Sequence, residues 1–549
     1  MAAALRPVKR QVTAALLALL IAVPLLWVTL SAVGAALDPG AWAGLRADLQ
    51  WPRALAMTLW TGVAATALSV ALTAWLLAGS FPGPLWQRSV RVLSPMLAVP
   101  HAAFAIGLAF LIAPSGWLLR LLSPWATGFE APPPWPTTQD PWGLGLIAVL
   151  VAKEVPFLLW AAASQLQRAD TATRLERELD AARSMGYTRQ AAWWRVLWPQ
   201  LWPRLNGPLI AVLAYSLTVV DMALVIGPTS LPTLAVLAWQ WLLDADPGLN
   251  AQGAAAAWLL AALVGLAALA VRALTRWLHW RQRWVRGTRG RPGPAQPRTW
   301  NLWPLAGAYG AVLAALAVGS VSGVWPFPQF WPVSFSLQGW ESVGASARTL
   351  WVTLALATAS SATALLWAVA WLECAPAAWD ARLRRLVYLP LLLPSVLWVV
   401  GLHRLSLAWG IDARWPGLWL AHSLAAAPYV LIALSPAYQG FDARYAQIAA
   451  SLRKGHWAFL LRVKWPLLKA ALLAALAVGF AVSVAQFLPT LFVGAGRFNT
   501  VTTEAVTLAS GAQRSLTAAY AWLQWLLPAV VFAAAAWAGR PRRFATIMT

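Results

Sequence analysis

The chain has 549 residues, 60% hydrophobic and 11% charged, with a formal net charge of +23 and a mean hydropathy of +0.63. A soluble globular protein carries roughly a quarter charged residues, so this composition excludes that class and describes a polytopic membrane protein. A single cysteine, Cys374, rules out an internal disulfide and a multi-cysteine metal site.

In chain order, apolar segments long enough to be read as membrane spans fall at 12–37, 54–79, 92–113, 142–165, 205–228, 253–278, 302–324, 349–372, 386–403, 416–437, 470–494 and 516–538. The first follows Arg6, Lys9 and Arg10 and has no small-residue cleavage site. It is about twice as long as a signal-peptide core and reads as a retained anchor. All but nine of the 41 Lys and Arg lie at the N-terminus, in every second connection, or at the C-terminus; the exceptions are Arg46, Arg53, Arg120, Lys153, Arg348, Arg404, Arg414, Arg497 and Arg514. Lys and Arg accumulate on the cytoplasmic side, which predicts twelve transmembrane helices with both termini in the cytoplasm. The basic charge therefore reports topology in a lipid bilayer, and no nucleic-acid partner is expected. The 39 Trp residues partly reflect interfacial belts.

Residues 281–300, RQRWVRGTRGRPGPAQPRTW, are too rich in Arg, Gly and Pro to bury a core and read as a flexible cytoplasmic linker. They divide the chain into domains at 1–280 and 301–549, six spans each. The two look like copies. At a constant offset of 267, RVLWP at 195–199 meets RVKWP at 462–466, Ser216 meets Ser483, Gly227 meets Gly494 and Thr233 meets Thr500. Earlier, PHAAFAIGL at 100–108 meets PSVLWVVGL at 394–402. An even number of spans in each copy gives both the same membrane orientation, a parallel repeat. The expected fold is all-α and integral to the membrane, two parallel six-helix repeats with a path between them.

A polar loop joins the fourth and fifth spans. Thr173 with Glu176 has the pattern of a capping box that starts a helix. Leu175, Leu179, Ala182 and Met185 then form one apolar stripe, and Gly186 is placed to end the helix in the left-handed conformation. In the second copy Asp442 can cap a helix whose stripe is Tyr445, Ile448, Ala449 and Leu452. A single basic amphipathic helix could lie on lipid. Two at equivalent positions favour docking to a shared, symmetric partner.

Asp180, Ala181 and Ala182, then Gly186 four residues on, then Val196, Trp198 and Pro199, resemble the EAA loop of ATP-binding-cassette (ABC) importer permeases. That pattern is Glu-Ala-Ala, three residues, Gly, nine residues, Ile or Val, one residue, Leu-Pro. Here Asp stands for Glu and Trp for Leu. The second copy, in the loop at 440–466, departs further. It has Gln447, Ile448 and Ala449, with Arg453 where Gly belongs and Gly displaced to Gly455, but keeps Val463, Trp465 and Pro466. The layout resembles fused, type I permeases of the thiamine and ferric-iron importers over nearly the whole length. The resemblance implies that the two loops, at 170–199 and 440–466, are coupling helices resting on a separate cytoplasmic ABC ATPase, a homodimer, and that a periplasmic substrate-binding protein delivers the solute. Consistent with this division, no G-x-x-x-x-G-K-[ST] phosphate loop occurs in the sequence; no cofactor and no catalytic residue are expected. Arg453 in place of Gly should alter the end of its helix.

Ionisable groups inside spans are costly and informative. Lys153 and Glu154 lie in the fourth expected span and Asp221 deep in the fifth, where Leu488 takes its place in the second copy. An internal ion pair and a substrate role stand level for these three; a lone acid beside the path favours a cation such as thiamine. His101 and His403, in the equivalent third spans, are candidates to line the cavity, with placement in the core the stronger reading. The rival function is a twelve-span, ion-coupled secondary transporter, which needs mid-membrane coupling charges and no paired docking helices. A membrane enzyme would need clustered acid, base or metal-binding groups.

Overall fold

In the computed structural model residues 2–81, 84–166, 169–282, 302–511 and 513–540 are described. The expected linker at 281–300 thus lies almost wholly outside the described residues. Elements used below are, in the first half, α1 (Ala2–Ala36), α2 (Trp51–Ser80), α3 (His101–Ile112), α4 (Leu144–Leu166), α5 (Ala169–Ser184), α6 (Asn206–Thr218), α7 (Asp221–Ile226) and α8 (Pro247–Gln282). The second half contributes α9 (Trp303–Ser320), α10 (Ala347–Cys374), α11 (Ser395–Ala408), α12 (Trp415–Gln439), α13 (Arg444–Ser451), α14 (Lys469–Val484), α15 (Leu488–Gly494) and α16 (Arg514–Ala538). Among the described residues there are helices and one isolated β-bridge, Ser322 with Phe335, and no strand.

Nine described helices are long and apolar enough to cross a membrane, or eleven if each of two sharply bent pairs counts as one span. Each of the twelve expected segments holds a helix or a broken helix, but several are not straight rods. The segment at 205–228 is interrupted: α6 has 13 residues, about 20 Å at 1.5 Å per residue. Val219 and Val220 then leave the helix, and α7 adds only six residues. In the segment at 386–403, the helices on either side of Leu393 and Pro394 meet at 110°. Pro394 is the N-cap of α11, as Pro100 is of α3. A proline lacks the N–H that would continue a preceding helix and its φ suits a helix start, so the paired prolines at 100 and 394 begin the third helix of each half anew.

The halves exchange their first helices. α9 packs on α3 and α1 packs on α11. Glycine makes both crossings possible. A Cβ at Gly107 of α3 would come within 2.6 Å of Val312 Cγ1 on α9, and one at Gly401 of α11 would collide with the Val28 carbonyl oxygen on α1. Gly107 and Gly401 are the equivalent glycines of the 100–108 and 394–402 segments. Small residues that let backbones approach are the usual device for helix association in lipid, where no hydrophobic force draws helices together. Phe104 and Ile106 share a buried cluster with Tyr309, Val312 and Leu316, while Ile21, Leu25 and Val28 share one with Trp398, Leu402 and Leu405.

Candidate functional site: two matched loops and a cavity between the halves

The loop after α4 is built on α5. Three members of its apolar stripe, Leu175, Leu179 and Ala182, are buried in one cluster with Trp193, Leu197 and Leu201, which also takes in Leu76, Leu77 and Ala78 at the end of α2. The fourth, Met185, is 55% exposed. The helix starts at Ala169, one turn ahead of the expected cap at Thr173. Gly186 ends it with φ +85°; its N–H donates to the Arg183 carbonyl at 2.9 Å and the Tyr187 N–H to the Ala182 carbonyl at 3.1 Å. Burial of the stripe leaves Asp180, Ala181, Met185 and Gly186 on the open face.

The second loop repeats this geometry at the same offset of 267. The Arg453 N–H donates to Ala450 at 2.9 Å and the Lys454 N–H to Ala449 at 3.0 Å. Arg453 itself is left-handed, φ +52°. The expectation that arginine would alter this helix end is therefore corrected: the turn is kept, at a conformational cost of about 1–2 kcal/mol for an L-residue. Gly455, the displaced glycine, has an ordinary φ of −65° and precedes the next short helix. The N-cap of α13 is Ala443, with no side-chain capping bond, rather than the expected Asp442; Asp442 accepts the Arg444 N–H at 2.9 Å in the turn before it, and hydrogen bonds from the Arg444 side chain and N–H hold its carboxyl below the usual range.

Both loops then pass through one π-helical turn, Trp193–Leu197 and Leu460–Lys464. In each a tryptophan and a proline follow directly: Trp198 and Pro199, Trp465 and Pro466. A proline ring clashes with the carbonyl four residues earlier; the wider π turn carries that carbonyl, on Arg195 or Arg462, clear of it. Val196, Trp198 and Pro199 are half-buried, as are Val463 and Trp465, whereas Pro466 is exposed. Trp198 packs among Trp193, Trp194 and Trp202, with ring centres 5.8–6.5 Å apart.

The loops differ in what faces outward and in what supports them. On α13 only Ala449 of the expected stripe is buried; Tyr445, Ile448 and Leu452 are 46%, 56% and 63% exposed. The same offset pairs them with Glu178, Ala181 and Met185. Glu178 bonds Gln200 and Arg174, and these hydrogen bonds, that from Gln200 foremost, hold its carboxyl below the usual range. Beneath the second loop Lys464 Nζ donates to Glu373 at 2.6 Å, and Glu373 also accepts the Tyr438 hydroxyl at 2.8 Å. Leu197, the counterpart of Lys464, is fully buried among apolar side chains.

A cavity of ≈ 300 Å³ lies between the halves, at the two broken helices. Residues 218–221, where α6 gives way to α7, and residues 485–489, between α14 and α15, both line it. Asp221 stands here at the break, on the first turn of α7 rather than within a continuous span. His101 joins it, its ring 4.9 Å from that of Tyr215. The other three candidates lie elsewhere. Lys153 Nζ donates to the Val99 carbonyl at 2.6 Å and sits over Phe104 and Tyr309, with Glu154 buried beside it. His403 lies 3.7 Å from Asp412 and edge-on to Phe492. The lining that the sequence reading missed is Tyr215, Trp398, Tyr429 and Gln486. Gln486 carried a signal, a lone amide in an apolar run three residues before Pro489; the aromatic residues carried none.

A bundle of long apolar helices with exchanged first helices and paired helical loops describes a multi-pass membrane protein. No protein-family profile matches the sequence. The chain is 35% identical over 526 residues, 95% of each chain, to the inner membrane ABC transporter permease protein YnjC of Escherichia coli (strain K12). It belongs to the ABC transporter permeases and is a multi-pass, all-helical transport subunit.

Proposed function

We propose that the chain is the fused permease of an ATP-driven importer, with domains at 1–280 and 301–549. Its two helical loops lie in the cytoplasm and couple a separate ATPase dimer to the cavity between the domains, and a periplasmic binding protein supplies a small solute from the other side. The observation that carries this reading is the duplicated loop. Equivalent left-handed turns at Gly186 and Arg453, followed by equivalent π turns, give the two loops like backbone shapes, which suits a two-fold symmetric partner. Asp221 at the cavity favours a cationic solute of the thiamine or ferric-iron kind.

The faces differ in chemistry, so the loops contribute unequally. Burying an Ile or Leu side chain gains about 1.5–3 kcal/mol, and α13 offers Ile448 and Leu452 where α5 offers Ala181 and Met185. Affinity-tagged chain from its native host should retain a phosphate-loop ATPase identified by mass spectrometry. Ile448→Asp with Leu452→Asp should lose it, and Ala181→Asp with Met185→Asp should reduce it less. Retention of the ATPase at wild-type level by all these variants would refute docking through the loops.

A further inference from the structure

A second cavity, ≈ 600 Å³, also lies between the halves, and its lining is cationic and hydroxylated: Arg120 and Arg514 with Ser115, Gln139, Ser322 and Gln513 among its polar groups. Among the described residues no acidic side chain lines it, and neither arginine takes part in an ion pair. Arg120 is buried and fixed. Its guanidinium donates to the carbonyls of Ser115, Pro326, Gln329 and Trp325 at 2.7–3.1 Å and stacks over the Trp325 ring. Those acceptors are neutral, so its full charge remains. Arg514 is exposed and gives one described bond, from Nη2 to Ser115 Oγ at 2.8 Å. It opens the 25-residue α16, whose N-cap, Gln513, makes no side-chain capping bond; the helix therefore adds its uncapped N–H groups and positive end to the same cavity.

Two cations here are costly in another way. Arg120 and Arg514 are two of the nine basic residues outside the expected cytoplasmic connections and termini, where Lys and Arg are scarce. The two cavities border the same two helices without sharing a lining residue. α7 offers Asp221 to the inner cavity and Val225 to this one, about 6 Å further along the helix. α3 offers Ala102 to the inner and Ala109 to the outer.

We propose that this outer cavity binds a small solute through a carboxylate or phosphate group, held by Arg514 and the field of Arg120, with hydroxylated neighbours bonding the remainder. Its size falls in the range of small-molecule sites. The inference goes beyond the transport reading above and needs neither ATPase nor nucleotide to test.

Isothermal titration of the full chain in nanodiscs with inorganic phosphate and with citrate should show saturable binding of at least one. Arg514→Gln should weaken it roughly tenfold or more, the loss of a charge-assisted hydrogen bond. Arg514→Lys should recover part of it, and Arg53→Gln, at an exposed arginine that does not line the cavity, should leave it unchanged. Absence of saturable binding by both anions would overturn the proposal, as would equal weakening by Arg53→Gln or equal binding of tetramethylammonium. A chain that binds neither anion, but whose Arg514→Gln variant loses capture of the secreted binding protein, would assign the arginines to a protein carboxylate and likewise overturn it.

Discussion

Arg453 holds the same left-handed turn as Gly186 although its side chain opposes it. An L-residue there costs about 1–2 kcal/mol, while glycine costs about 0.4–1 kcal/mol through the entropy of the unfolded chain. Arg453→Gly should therefore raise the unfolding midpoint, by up to about 1.6 kcal/mol in stability, and Gly186→Arg should lower it by a similar amount. Shifts of the same sign in calorimetry of the detergent-solubilised chain would contradict equal turns. Glu178 gives a pH signature. Its carboxyl is depressed chiefly by the Gln200 hydrogen bond, so its contribution is complete above the ordinary glutamate value of about 4.3 and fades as pH falls through the lower folded value. Hydrogen exchange in α5 should rise on acidification below that value in the native chain and respond less in Glu178→Gln. Identical acid profiles would remove Glu178 from the account. The sequence disclosed Gly186 through its spacing from the stripe. It could not disclose Arg453, because composition forecasts where glycine eases a turn, not where surrounding hydrogen bonds impose the turn on another residue.

At the scale of elements, the equivalent glycines fix how the halves engage. Gly107→Leu or Gly401→Leu would push α9 from α3 or α1 from α11, and overpacking of this kind costs about 1–3 kcal/mol. Both should lower the unfolding midpoint and yield of folded protein. Gly265→Leu, where a side chain meets nothing within 4 Å, should be tolerated; equal loss at all three would contradict the close crossings. The apolar runs located the long helices, because lipid demands a long hydrophobic stretch whatever its neighbours, but not shorter ones such as Leu234–Leu242 and Val501–Leu508. They could not show the break at Val219 and Val220, where β-branched apolar residues continue the hydrophobic pattern while the backbone leaves the helix. Nor could hydropathy predict the exchange of α1 and α9, since a span's partner is chosen by packing shape. The expected stripe on α13 failed for a related reason: periodicity finds an apolar face, and only the neighbouring elements decide whether that face is covered. Leu175 and Leu179 find cover against the π turn at Trp193–Leu197, while Ile448 and Leu452 are exposed.

Across the whole molecule, places where the two halves match in backbone differ in chemistry. The loops share their turns, yet one rests on buried leucines and the other on Lys464, Glu373 and Tyr438. The inner cavity forms where two broken helices meet, yet carries Asp221 on one side and Leu488 on the other. Of the five pathway candidates only Asp221 and His101 reach it, since burial within a span does not distinguish a lining residue from one sealed in the core, as Lys153 and Glu154 are. Loops and linings that differ between the halves suit a transporter that recognises an asymmetric solute. The measurement that tests this most directly is uptake into proteoliposomes holding the chain, its ATPase and the binding protein loaded with its own solute. The account predicts accumulation that requires ATP and is lost with Ile448→Asp and Leu452→Asp together. Uptake by the chain alone, driven by an ion gradient and unaffected by nucleotide, would contradict it.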